Sequence, residues 1–151
     1  PNQVFTPGFG GGSNYGPLAY GKETGYLYVN AIDQPFNSAR DPKGYFSAYD
    51  PTTGELIWRQ IFEGYGQAGP VVTAGGLVFV GAGSNTAGYF YAFDAETGEE
   101  LWKYNTGSGV FASPAVFSID GEEFITVASG GGSRGRRGGD LILTFALPDW
   151  D

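Results

Sequence analysis

The chain contains no cysteine, no histidine and no methionine among its 151 residues. The absence of cysteine excludes disulfides, thiol catalysis and zinc–thiolate sites. The absence of histidine excludes Ser-His-Asp and Cys-His catalysis and removes the commonest transition-metal ligand. A metal held by this chain would therefore need oxygen ligands, as calcium and magnesium do.

Basic residues are also few, with eight Lys and Arg against 16 Asp and Glu and a formal net charge of −8. Nucleic-acid binding needs a basic surface, so this charge argues against nucleic acid as a partner. No apolar run is long enough to cross a bilayer, and no signal peptide is recognisable. The chain opens at Pro1, which predicts a fragment, a processed chain or a trimmed chain.

Glycine, by contrast, is abundant. The chain has 27 glycines, and 41% of its residues are hydrophobic and 17% aromatic. This composition is typical of many short strands and tight turns around a packed core. No segment shows sustained helical periodicity. The sequence therefore predicts an all-β fold.

One phrase occurs twice, and most of its positions are identical. Residues 44–58 read GYFSAYDPTTGELIW, and residues 88–102 read GYFYAFDAETGEELW. A spacing of this size indicates stacked structural repeats. Asp50 and Asp94 each begin a turn that ends in glycine, because Asp accepts backbone hydrogen bonds and glycine supplies positive φ. Asp120-Gly121, between two apolar runs, predicts a two-residue hairpin.

The repeats predict blades of four antiparallel strands at approximately 10–60, 64–104 and 107–148, the last without its Trp strand. Four-stranded units of this length are typical of a β-propeller. Three blades cannot close a ring, since four is the usual minimum. We therefore expect an incomplete, about three-blade C-terminal portion of a propeller, whose N-terminal blades lie in the same or a separate chain. Its exposed blade faces favour oligomers or partner binding.

The repeated pattern of Ala48, Asp50, Gly54 and Trp58 resembles the tryptophan-docking motif of the pyrroloquinoline quinone (PQQ)-dependent quinoprotein dehydrogenases. In that family the indole packs between adjacent blades. Further stretches are similar to the family in the family's own order: FTP, GGSNYG and TGYLYVN in residues 5–30, GPVVTAGGLVF in residues 69–79, and GGG…GD…FALP in residues 130–148. The glucose and polyol branch looks most similar.

The resemblance implies a periplasmic alcohol or sugar dehydrogenase, with membrane association in the glucose and polyol branch. It implies PQQ as cofactor, calcium or a lanthanide as metal, and a quinone or cytochrome c as electron acceptor. It also implies that Asn14, Tyr15 in place of the family's Trp, and Gly130 contact the quinone. The catalytic Asp and the metal ligands come from earlier blades in this family, so we expect neither in this chain and no turnover by the chain alone.

Each candidate residue also has a structural interpretation. Asn14 suits a turn in a glycine-rich loop. Asp50 and Asp94 recur in each repeat, which favours a turn role over metal binding or acid–base catalysis. Residues 130–139 hold three of the eight basic residues, and they suit either an anion site or a surface loop. Trp58 and Trp102 favour blade packing over a ligand platform, because their offset from glycine is fixed.

Two other functions fit the repeats. One is a non-catalytic PQQ-repeat propeller that acts as a binding or assembly scaffold, like the outer-membrane assembly lipoprotein of the same repeat class. The other is a minimal repeat protein made to study blade assembly. The FTP, GGSNYG and GGG…GD…FALP segments favour the dehydrogenase, because blade packing alone does not require them.

Overall fold

The computed structural model describes residues 3–8, 10–14, 16–36, 39, 41–83, 87–131 and 138–146. Within these ranges the chain forms eleven strands and no helix. No helix long and apolar enough to cross a membrane is found in the described part of the chain. The all-β prediction is confirmed.

The strands form three antiparallel sheets, each a simple meander in chain order. The first sheet contains β1 (Ala19–Tyr20), β2 (Leu27–Asp33), β3 (Lys43–Tyr49) and β4 (Leu56–Glu63). The second contains β5 (Val71–Val72), β6 (Leu77–Gly83), β7 (Gly88–Asp94) and β8 (Glu100–Asn105). The third contains β9 (Ala115–Ile119), β10 (Glu122–Ser129) and β11 (Leu141–Ala146). This is the predicted series of propeller blades, although the exact limits 10–60, 64–104 and 107–148 stay a prediction.

The turn between β9 and β10 is the predicted two-residue hairpin. Asp120 has φ 53° and Gly121 has φ 89°. Ile119 and Glu122, on either side, pair directly across the sheet. Two consecutive positive φ values are the signature of a type I′ turn, whose twist matches that of the strands.

The repeated Asp residues head turns, as the sequence predicts. The Oδ1 atom of Asp50 accepts hydrogen bonds from the backbone N of Thr52 at 2.7 Å and from its hydroxyl at 2.6 Å. The Oδ1 atom of Asp94 accepts from the backbone N and the hydroxyl of Thr97, at 2.8 and 2.9 Å. Both carboxylates therefore serve their own turns.

The first two sheets pack face to face through aromatic side chains. Phe62 of β4 stacks on Tyr91 of β7 with ring centroids 4.7 Å apart, and Phe46 of β3 lies 5.7 Å from Phe93. The second and third sheets enclose a smaller core. It contains Phe79, Phe90, Ala92, Val110, Ile125 and Val127. The inner strands β6 and β7 of the second sheet are therefore buried between its neighbours, whereas its edge strand β8 is exposed.

The two repeated tryptophans differ in environment. Trp58 packs against Gly98 of the second blade and donates its Nε1–H to the carbonyl of Ala95 at 3.2 Å. Trp102 packs edge-on against Phe145 of the third sheet, with centroids 5.0 Å apart, and it remains 37% exposed. The described part of the third sheet contains no turn equivalent to 95–98, so Trp102 has no comparable docking site there.

Strand direction places the connections in two groups. The turns at 20–27, 49–56, 94–100 and 119–122 lie at one end of the sheets. The connections at 64–70 and 105–114 lie at the other end, together with the described residues on either side of the third connection, 129–131 and 138–141. We call this end the loop end. Cross-contacts join these loops: Ser129 of the third blade donates its hydroxyl to the carbonyl of Thr106 at 3.0 Å.

Candidate functional site

The described residues of segment 10–17, which are 10–14, 16 and 17, lie at the loop end and are held by strand β2. The backbone N of Ile32 donates a hydrogen bond to the carbonyl of Gly12 at 2.8 Å. Asn14 is exposed, and its Nδ2 donates to the carbonyl of Gly10 at 3.2 Å. The Asn14 side chain is therefore anchored locally and presented at the surface.

Gly16 joins this segment to the connector between the first two blades. A Cβ at Gly16 would collide with the carbonyl of Gln67 and would lie 2.8 Å from the backbone N of Gly69. A Cβ at Gly69 would in turn lie 2.5 Å from the hydroxyl of Ser113. Glycine is required at both positions because three chain segments cross here with no room for a side chain.

Gly130 lies further along the same end, after β10. It is exposed, and its carbonyl accepts a hydrogen bond from the backbone N of Gly139 at 2.9 Å. The adjoining Gly131 packs against Gly109, so that a Cβ would lie 2.7 Å from the Gly109 Cα atom. This packing fixes the start of the glycine-rich loop against the connector between the second and third blades.

The structure thus places Asn14 and Gly130 at the same end of the sheets without direct contact between them. The connectors 64–70 and 105–114 lie between the two positions. Tyr15 and the three arginines at 134, 136 and 137 lie outside the described residues. The assignment of Asn14, Tyr15 and Gly130 as cofactor contacts stays a prediction.

The described residues whose pKa is shifted lie away from Asn14 and Gly130. Hydrogen bonds from Thr52 and Thr97 lower the pKa of the Asp50 and Asp94 carboxyls, at the end opposite Asn14. Burial raises the pKa of Tyr91 to about 12. Across the described ranges, no three Asp or Glu residues are close enough together to hold a metal ion. The catalytic Asp and metal ligands expected in other blades stay a prediction.

Sequence reasoning missed Asn30, a buried polar residue of β2. Its amide bridges the first two blades at the loop end, donating to the carbonyls of Ala68 at 2.9 Å and Gly81 at 3.3 Å. The available signal was a polar side chain in an apolar strand, at a position where the second blade has glycine.

The model of one protein family, described as "Outer membrane protein assembly factor BamB", matches residues 42–136. The chain belongs to this PQQ-repeat family. The matched range covers both copies of the repeated phrase and most of the third sheet. It begins after segment 10–17, so the family match rests on the blades rather than on Asn14.

Individual PQQ-repeat proteins match more of the chain. The quinoprotein ethanol dehydrogenase of Pseudomonas putida is 36% identical over 97% of this chain and 29% of its own length. The 1-butanol dehydrogenase (quinone) of Thauera butanivorans is 35% identical over 90% of this chain and 25% of its own length. The chain therefore spans less than a third of these relatives, and the similarity includes the loop end.

Two solved structures have the same fold as this PQQ-repeat chain. The quinohemoprotein alcohol dehydrogenase from Comamonas testosteroni has a TM-score of 0.79 and 25% identity, over 95% of this chain and 27% of that one. A europium-containing methanol dehydrogenase has a TM-score of 0.74 and 28% identity, over 85% and 27% of the two chains. Both comparisons confirm the partial propeller.

The loop end of this PQQ-repeat chain leaves room for a flat cofactor beside two glycines. Nothing lies within 4 Å of the position that a Cβ at Gly12 would take, and the nearest atom at Gly130 is 3.9 Å away. A planar ring could therefore approach the backbone closely. The exposed amide of Asn14 offers both a donor and an acceptor for carbonyl and carboxylate oxygens.

Proposed function

We propose that this chain forms the C-terminal blades of a PQQ-dependent dehydrogenase that oxidises alcohols. The observation that carries the proposal is the 36% identity to a quinoprotein ethanol dehydrogenase over 97% of the chain. Such coverage includes the surface loops as well as the blades. Blade packing alone constrains the core positions and the turns, not the exposed segment around Asn14.

In the complete protein, PQQ with calcium or a lanthanide would accept the two electrons removed from the alcohol. The role of this chain would be to bind and orient the cofactor. Asn14 would hydrogen-bond to it in the ring plane, and Tyr15 and Gly130 would complete this side of the pocket. The metal ligands and the catalytic Asp would come from the remaining blades. The aromatic packing between the first two sheets would hold the pocket wall rigid.

We also propose a substrate, an electron acceptor and a location for the complete protein. An alcohol is favoured because the relatives reported above are alcohol dehydrogenases, while the glucose and polyol branch stays a prediction. A quinone acceptor is supported by the Thauera butanivorans relative, a 1-butanol dehydrogenase (quinone), and cytochrome c is the alternative. We further propose a periplasmic location, with the remaining N-terminal blades as the structural partner.

The test is an assay of the complete protein encoded by the reading frame that contains this chain. The purified apoprotein would be mixed with PQQ and either Ca²⁺ or La³⁺, and reduction of an artificial dye would be followed with ethanol, 1-butanol and glucose. We expect alcohol-dependent dye reduction that requires both PQQ and metal, and none by the 151-residue chain alone. Absence of turnover and of bound quinone in the complete protein would contradict the proposal.

A non-catalytic scaffold is the second candidate. The family model that matches residues 42–136 carries the description of an assembly factor. In that case the complete protein would bind no PQQ, and substitution of Asn14 would change no binding property. The dye assay therefore separates the two candidates.

A further inference from the structure

Asn30 is a buried polar residue that the repeat does not account for. It is 5% exposed and lies in β2. Tyr28 pairs with Ala48 in the first blade, and Phe79 pairs with the equivalent Ala92 in the second. Tyr28 and Phe79 are therefore equivalent, so Gly81 is the counterpart of Asn30, two residues further along each strand. Since a residue that serves blade packing generally recurs in each blade, the asparagine has a role particular to its place in the chain.

Both donated hydrogen bonds of Asn30 cross to the second blade or its connector. Its Nδ2 donates to the carbonyls of Ala68 at 2.9 Å and of Gly81 at 3.3 Å. Its Oδ1 is enclosed and accepts no hydrogen bond from any residue in the described ranges. Gly66 lies directly against that oxygen. The N–H groups are thus the part of the side chain that holds the two blades together.

The carbonyl of Ala68 belongs to the connector that supports segment 10–17. Residues 67–69 pack against Gly16 so closely that a Cβ there would lie 3.1 Å from the carbonyl carbon of Ala68. Strand β2, which contains Asn30, also holds the segment directly, because the backbone N of Ile32 donates to the carbonyl of Gly12 at 2.8 Å. Asn14 lies between these two attachment points. Strand β2 therefore sets its position at both sides.

We propose that Asn30 is a positioning residue of the PQQ pocket, an inference that rests on the function proposed above. Its amide fixes the carbonyl of Ala68, the connector then fixes Gly16, and the attachments at Gly12 and Gly16 together fix the place of the segment that carries Asn14. Without the amide donors, the carbonyls of Ala68 and Gly81 remain unpaired in an enclosed space, which is unfavourable. The connector then moves to regain hydrogen bonds, and the segment that carries Asn14 moves with it.

The test compares Asn30→Leu, which is close in size and has no donor, with Tyr28→Phe in the complete protein. Tyr28 is the matched control because it lies on the same strand and donates one hydrogen bond to the second blade, to Ala95 at 2.9 Å, but at the opposite end. Two quantities are measured for each variant: amide hydrogen exchange in the apoprotein, and the Kd for PQQ in the presence of Ca²⁺.

We expect Asn30→Leu to speed amide exchange in residues 10–17 and 66–70 and to raise the Kd for PQQ by about tenfold, the loss of roughly one net hydrogen bond. Tyr28→Phe should leave both quantities within about twofold of wild type, on the same reasoning. Equal effects of the two variants, or unchanged exchange in residues 10–17 of Asn30→Leu, would overturn the inference. If Asn30→Leu does not fold, Asn30→Ser, which retains one donor, is compared with Tyr28→Phe in the same way and judged by the same outcomes.

The two proposals fail in different ways. If wild-type protein binds no PQQ, the proposed function is wrong, and this is seen before any variant is made. If wild type binds PQQ but Asn30→Leu binds it equally well, the dehydrogenase assignment stands and the positioning role of Asn30 is wrong.

Discussion

Trp58 and Ala95 join two blades through one hydrogen bond. The indole Nε1 of Trp58 donates to the carbonyl of Ala95, 3.2 Å away in the turn of the second blade. The hydroxyl of Tyr28 donates to the same carbonyl at 2.9 Å. Because both donors come from the first blade, the Ala95 carbonyl fixes how the two sheets pack against each other.

Replacement of the two repeated tryptophans should therefore have unequal effects. We expect Trp58→Ala to lower the free energy of unfolding by about 3–5 kcal/mol, since it removes a packed ring and a hydrogen bond. Trp102 is 37% exposed, and we expect Trp102→Ala to cost roughly half as much. Urea denaturation, followed by far-ultraviolet circular dichroism, measures the free energy of unfolding of both variants. Equal losses in the two variants would contradict the unequal docking of the two tryptophans.

A pair of glycines separates backbone strain from tryptophan docking. Gly54 and Gly98 have φ 76° and 74°, so alanine is strained at both. A Cβ at Gly54 meets nothing within 4 Å, whereas at Gly98 it would lie 2.6 Å from the Trp58 ring. In the 151-residue chain we expect Gly54→Ala to cost about 1–2 kcal/mol and Gly98→Ala about 1–3 kcal/mol more. Thermal unfolding of the two variants checks the difference, and equal values would show that the indole does not rest on Gly98.

Much of this fold could be predicted from the sequence because its signals are local. Asp50, Asp94 and Asp120-Gly121 set their turns through hydrogen bonds and φ values within a few residues, and the structure has these turns where predicted. The blade order follows from short connections alone. The repeat was informative because the same local chemistry occurs in it twice.

The candidate site could be predicted only in part, because it depends on contacts between distant segments. Asn30 acts on Ala68, 38 residues away, and nothing near Asn30 in the sequence indicates that pairing. The exposure of Trp102 depends on which turn the third sheet presents to it. Such properties arise where segments cross, so they were visible only in the structure.

The pKa of Asp50 should depend on Thr52. Hydrogen bonding to Thr52, its hydroxyl first, lowers the pKa of Asp50 below the ordinary value. A lowered pKa gives stability that is present above the unfolded value and is lost as pH falls through the folded value. Thr52→Val should raise the pKa of Asp50 toward the ordinary value, as measured by carboxyl ¹³C NMR titration.

Thr97→Val provides the comparison for that titration. At Asp94 the backbone hydrogen bond of Thr97 is the larger cause of the lowered pKa, and valine retains that N–H. We therefore expect a smaller rise at Asp94 in Thr97→Val than at Asp50 in Thr52→Val. A larger rise at Asp94 than at Asp50 would contradict this ranking of the hydroxyl and backbone hydrogen bonds in the two turns.

Tyr91 predicts the behaviour of the protein at alkaline pH. The pKa of Tyr91 is raised to about 12, mainly by burial and to a smaller extent by the charge of Glu100. The folded state therefore favours neutral Tyr91, and the stability this gives is present below the unfolded value near pH 10 and is lost as pH rises toward 12. In Tyr91→Phe the free energy of unfolding should fall less steeply as the pH rises between these two values. Urea denaturation at several pH values measures this dependence. An unchanged pH dependence would contradict the assignment.

The central claim is that this chain forms part of a PQQ site, and a binding titration of the complete apoprotein tests it most directly. PQQ would be added in the presence of Ca²⁺ to wild type, Asn14→Ala and Asn105→Ala, and bound quinone would be measured by absorbance. Asn105 is the matched control, because it is an exposed asparagine at the loop end that accepts a hydrogen bond from Gly107 at 2.8 Å within its own turn.

We predict saturable binding of one PQQ per wild-type chain, a Kd about tenfold higher for Asn14→Ala, and no change for Asn105→Ala. No saturable binding by wild type, or equal binding by all three proteins, would contradict the place of this chain in the cofactor site.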